Sequence, residues 1–303
     1  MQTRLKHRIE YILLRAAIAP LRRLPYRLAL LFAWCMAWFT HNIVRFRVKE
    51  ARRRIRIVLG SGITQRRVRR IAWISWRNLC FNIVDTVKLP RMGEDEFVRI
   101  LTNYRTVIDK AISFHREIGG FVLATAHIGN WELGLPVAKA TGLPLFAIAR
   151  RQKNPLTDAY LNKLRHDTGI RVVMNDSSVL KNVIRELRKD NVLAILPDVR
   201  ARTQALDIEF LGDHANIGGG MALFARQTKM PILPVFSIRQ GWGHHRWTLL
   251  DPIYPDENIE KKEDWRRMTQ IVMDKFSAVI LENPEQYFWY NKRWVLEPLE
   301  DHD

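Results

Sequence analysis

Short apolar runs punctuate the chain from about residue 118 onward: 121–126 (FVLATA), 144–149 (PLFAIA), 170–174 (IRVVM), 192–196 (VLAIL) and 232–238 (ILPVFSI). Between them, 155–169, 177–190 and 218–230 read as amphipathic helices. Strands alternating with helices predict an α/β fold with a largely parallel or mixed sheet flanked by helices. A further strand is expected near 246–250, a long helix over 260–282, and an aromatic-basic tail at 284–294 (PEQYFWYNKRW).

The first third reads differently. Residues 28–39 (LALLFAWCMAWF) are twelve unbroken apolar positions, short of the roughly 20 that a spanning helix needs. Arg22, Arg23 and Arg27 precede them and no small-residue cleavage site follows, so they do not form a cleaved signal peptide. A tilted or partial span, a non-crossing anchor and a buried core helix remain as readings. Residues 45–59 and 66–81 follow as two helices rich in arginine, with apolar positions at helical spacing and Gly60-Ser61-Gly62 as the turn between them.

Charge sharpens this division. Of the net +18 on 303 residues, +17 lies in residues 1–77, which hold 19 Lys/Arg and 2 Asp/Glu. A basic head on a nearly neutral body implies an anionic partner. Basic amphipathic helices with Trp73 and Trp76 beside an apolar run suit an anionic membrane surface. Nucleic acid is not expected as a partner, because no helix-turn-helix, zinc or RNP signature accompanies them. The implied division is an apolar membrane anchor at 1–44, a basic amphipathic helical region at 45–117 and an α/β domain at 118–303. Cys35 and Cys80 make neither a disulfide framework nor a zinc site.

Candidate chemistry centres on 125–134 (TAHIGNWELG). His127 follows a strand, and Glu132 lies five positions on, so the two meet only if the chain turns at Gly129-Asn130. The spacing excludes a zinc helix of the HExxH kind. A histidine base with a carboxylate holding its tautomer is the chemistry such a pair supports. No GxSxG elbow, Walker lysine or dinucleotide fingerprint is present. A strand-end histidine that merely satisfies a backbone carbonyl is the competing reading; if His127 is a base, it is expected to activate a hydroxyl of a bound substrate, in direct group transfer without cofactor or metal.

These blocks resemble the bacterial late lipid A biosynthesis acyltransferases of the lysophospholipid acyltransferase superfamily. HIGNWELG resembles the family's HX4(D/E) motif, and 150–169 its R…NP…R…G segment, aligning Arg150, Asn154, Pro155 and Arg165. ILPDVR at 195–200 resembles the PD block and places Asp198. Residues 209–236 and 284–294 resemble the glycine-containing and C-terminal signatures. Val199 and Asn291 depart from the pattern, where many relatives carry a polar residue and a histidine.

The resemblance implies acyl transfer from an acyl thioester, on acyl carrier protein or as acyl-CoA, to a hydroxyl of a lipid A precursor or another membrane glycolipid or aminolipid. It makes His127 and Glu132 catalytic, and Asn130, Arg150, Asn154, Arg165 and Asp198 substrate-binding. It also implies the cytoplasmic face of the inner membrane, single-pass or monotopic. A membrane-docked binding protein with a dead dyad is the rival from another class.

Overall fold

The computed structural model describes residues 5–88, 92–149, 153–167 and 171–299. Six helices come first: α1 (Leu5–Arg23), α2 (Tyr26–Phe39), α3 (Val48–Leu59), α4 (Gln65–Lys88), α5 (Glu94–Ile100) and α6 (Tyr104–Ile118). The apolar run lies in α2 and continues through a π-helical turn, Thr40–Val44. The combined stretch Tyr26–Val44 is 19 residues long and apolar enough, by length and composition, to cross a membrane.

Periodicity explains how α2 attaches. Ala29, Ala33 and Ala37 recur every four residues and are buried against α4. Small side chains on that stripe let the two helix backbones approach closely. The outward face carries Leu28, Leu31, Trp38 and Phe39, all exposed. That face is incompatible with a buried core helix. Among the described residues, 13 of the 19 exposed large apolar side chains lie between Leu5 and Ile57. So concentrated an apolar surface marks a contact with lipid or protein.

The two arginine-rich helices are not simply a charged coat. Val48, Ala51 and Ile55 of α3 and Val68, Ile71 and Ala72 of α4 enter the same core as the sheet. Arg54 is wholly buried and donates to the carbonyls of Trp289 (2.8 Å) and Asn291 (2.7 Å), and to Glu297. The Tyr290 hydroxyl donates to the carbonyl of Ala72 at 2.9 Å. These bonds hold the aromatic-basic tail against the helical pair.

The α/β body contains β1 (Phe121–Ala124), α7 (Gly134–Thr141), β2 (Leu145–Ala149), α8 (Pro155–Asp167), β3 (Arg171–Met174), α9 (Val179–Leu187) and β4 (Val192–Ile195). It continues with β5 (Leu206–Phe210), β6 (Asp213–Ile217), α10 (Gly220–Thr228), β7 (Ile232–Gln240), β8 (His244–Leu249) and α11 (Lys261–Glu282). The six-stranded sheet has the order β3-β2-β4-β1-β7-β8, parallel except for β8. Each expected apolar run became a strand of this sheet. The separate β5–β6 hairpin was not anticipated, although LDIEF alternates with period two and its turn, Leu211-Gly212, has positive φ at both residues.

Candidate active site

Register brings the first two functional groups together. In the parallel β1–β4 pair, Ala124 is opposite Ile195. Both chains run on past the same sheet edge, so His127 and Asp198, each three residues further, become neighbours. Such carboxyl-terminal edges are where open α/β sheets bind ligands. The imidazole Nδ1 lies 2.8 Å from Asp198 Oδ1, and the His127 backbone N–H donates to Oδ2 at 2.8 Å. Nδ1 is thereby the protonated nitrogen beside the carboxylate, and Nε2 is the free lone pair.

Asp198 is buried, whereas the His127 side chain keeps 20% of its exposure. Burial pulls the His127 pKa down, but the charge and hydrogen bond of Asp198 and the charge of Glu132 outweigh it, and the net shift is upward. Burial and the Asp198 charge raise the Tyr287 hydroxyl well above its ordinary value, so it stays protonated beside that carboxylate.

The loop that follows is shaped for one purpose. Gly129 has φ near +59°, and a side chain there would collide with the carbonyl of Ser237. Only glycine fits. The tail supports the loop from its other side: Phe288 N–H donates to the His127 carbonyl, and Gly129 N–H to that of Gln286, both at 2.9 Å. Trp131 and Phe288 flank the imidazole, with ring centroids 4.9 and 6.4 Å away. Glu132 is half-buried in the first turn of the short 3-10 helix Trp131–Leu133.

The sequence reading paired His127 with Glu132. In the structure the carboxylate bonded to Nδ1 is Asp198, and Glu132 acts on the imidazole through its charge. Asn130 is fully buried; its side chain donates to Asp85 at 2.7 Å and accepts from the Glu132 N–H. Asn154 caps α8, accepting from Leu156 and Thr157 N–H and donating to the His7 carbonyl and Glu10 of α1. Both asparagines expected at substrate are committed to protein partners. Arg150 lies outside the described residues, and of Arg165 only the helical backbone is described.

His127 and Glu132 open onto a cavity of about 400 Å³. The strands and their carboxyl-terminal ends line it: Leu123 and Thr125, Leu145, Ala147, Ile148 and Ala149, and Ala194, Ile195 and Leu196. Ala147 and Ala194 leave room that larger residues would fill. Trp247 and Phe236 contribute aromatic surface, and Val199 makes its position part of the apolar wall. The composition of that wall suits a hydrocarbon chain with its reactive end at His127. Trp131 and Phe288 escaped the sequence reading as site residues, although both sit inside the motifs HIGNWELG and PEQYFW.

The family model described as bacterial lipid A biosynthesis acyltransferase matches residues 1–295. No individual curated protein matches the chain. With the match running from the first helix through the aromatic-basic tail, the chain belongs to the bacterial lipid A biosynthesis acyltransferase family.

Proposed function

We propose that this acyltransferase moves a fatty acyl chain from an acyl thioester, carried by acyl carrier protein or coenzyme A, to a hydroxyl of a lipid A precursor. The observation that carries the reading is the Asp198-bound imidazole of His127 at the mouth of an apolar groove. Nε2 takes the proton of the acceptor hydroxyl as its oxygen attacks the thioester carbonyl. Collapse of the tetrahedral intermediate breaks the carbon–sulfur bond, and the imidazolium returns the proton to the leaving thiolate. Asp198 and Glu132 stabilise the imidazolium between these steps. The acyl chain lies along Leu123, Ala147 and Ala194. Arg150 and Arg165 are proposed, from the motif alone, to hold anionic groups of the substrates.

Docking at the cytoplasmic face of the inner membrane, single-pass or monotopic, fits the exposed apolar faces of α1 and α2 and the exposed Arg66, Arg67, Arg69 and Arg70 of α4. Arg54 has no part in that docking, being buried against the tail.

The test is transfer by purified protein in detergent or vesicles, supplied with a thioester donor and a lipid A precursor. Mass spectrometry should find one acyl chain added by wild type and none by His127→Ala. An unmodified precursor after incubation with folded wild-type enzyme, with either donor, would sink the reading.

A further inference from the structure

A second buried polar cluster lies under the catalytic loop, and the reaction outlined above does not use it. At its centre is Asp85 of α4, whose side chain is fully buried. Four groups from four parts of the chain converge on it. Tyr26 Oη, at the start of α2, donates to Oδ1 at 2.7 Å. Asn130 Nδ2 and Arg239 Nη2 donate to Oδ2 at 2.7 and 2.6 Å, and His245 Nε2 lies 3.3 Å from the same oxygen. Arg239 in turn donates to Asn82 Oδ1 at 2.7 Å and the Trp242 carbonyl at 2.6 Å. Asn82, one turn before Asp85 on α4, donates to the Gly129 carbonyl at 2.7 Å.

Two successive loop residues, Gly129 and Asn130, are thus bonded to one face of α4. The cluster carries one permanent cation and one carboxylate. Burial favours the neutral acid, but Arg239 and His245 reverse that and hold the Asp85 carboxyl at about 2. Burial and Arg239 lower His245 to about 4, so it is neutral at pH 7.

A buried ion pair adds little net stability over well-packed apolar residues, yet removing one member is costly. What this pair supplies is geometry. The loop must hold His127 at the groove, and a displacement of about 1 Å there can lower turnover on the order of 100-fold.

We infer that Asp85 is a positioning residue for the transfer reaction, holding the His127–Glu132 loop through Asn130 and, together with Asn82, through Gly129. It never meets substrate. Because Tyr26 binds the same carboxylate, the seat of the apolar helix and the position of the catalytic loop are set by one group. The inference rests on His127 as the base of the proposed transfer.

The experiment compares kcat and KM, per folded enzyme, for wild type, Asp85→Asn and Asn130→Ser. Serine at 130 keeps the cap to the Glu132 N–H but is too short to reach Asp85, and it leaves the Asp85–Arg239 pair intact. It therefore carries the test if Asp85→Asn does not fold. Each single variant should lose about 100-fold in kcat, with KM for the thioester changed less than about twofold. Folded Asn130→Ser with kcat within about twofold of wild type overturns the inference. So does a loss that resides wholly in KM. Inactive wild type in the same assay refutes instead the transfer reading beneath it.

Discussion

Asp198 and Asp85 are both buried carboxylates, and both bond to the segment between His127 and Glu132, yet they keep different company. Asp85 is paired with the guanidinium of Arg239, a permanent cation, and neither side chain has any exposed surface. Among the described residues, the ion-pair partner of Asp198 is the imidazole of His127, which titrates and keeps part of its surface on the groove. A carboxylate with a permanent partner fixes geometry, because its charge is satisfied in one arrangement only. One whose partner gains and loses a proton can follow a reaction, because its stabilisation grows when the proton arrives. Burial alone does not separate the two roles. The identity of the partner does.

The comparison breaks most completely at the base itself. His127→Ala should reduce kcat/KM by about 10²–10⁴-fold or more, as expected for a lost general base, while membrane association stays near wild type. Retention of more than about a tenth of activity would transfer the role of base to another group.

Stability should show the reverse ranking. Asp85→Ala leaves Arg239 buried without its counter-charge and should destabilise the fold by about 3–5 kcal/mol. Asp198→Ala leaves a neutral imidazole and one backbone N–H unpaired, for about 1–3 kcal/mol. Urea unfolding of the two variants side by side reads the difference, and equal losses would erase the distinction between sealed and open carboxylates.

The pH profile sharpens it further. The base must be neutral to act, and its pKa lies above the ordinary 6.5 once Asp198 and Glu132 have outweighed burial. The acid limb of kcat/KM should therefore fall above pH 6.5. Asp198→Asn removes the negative charge, lowers the imidazole pKa and should move that limb to lower pH. Asp85→Asn should lower the plateau and leave the limb in place. A limb that moves equally in both variants would mean that the two clusters titrate as one.

The smallest expected effect lies in the groove. Ala147→Leu adds three carbons to its wall and should disfavour the longest acyl donors by about tenfold per methylene that no longer fits, without changing the pH limb. Donor competition followed by mass spectrometry measures this. An unchanged chain-length profile would place the acyl chain elsewhere.

Much of this architecture was readable in one dimension, because each apolar run from 121 to 238 was short, bounded and separated by a helical stretch. The strand-end position of His127 was equally legible, as was the need for a turn at Gly129-Asn130. Asp198 was recognised from its PD block, though as a substrate contact. Its partnership with His127 depends on β4 lying beside β1 although two strands intervene in the chain, and on a register that aligns Ala124 with Ile195. Nothing local encodes that adjacency.

The helical head gives the same lesson with charge. Among the arginines of 45–70, periodicity alone does not distinguish Arg54, which is buried on the carbonyls of the tail, from Arg66 or Arg70 in solvent. Local pattern determined the elements, their amphipathic faces, the apolar and basic character of the head and the residue types available for catalysis. These follow from side-chain chemistry and the periods of helix and strand. Tertiary structure alone decided which carboxylate would hold the imidazole and which would be sealed against Arg239. Those choices require residues 71 and 154 positions apart to meet, and the packing of whole helices and strands against one another determines whether they do.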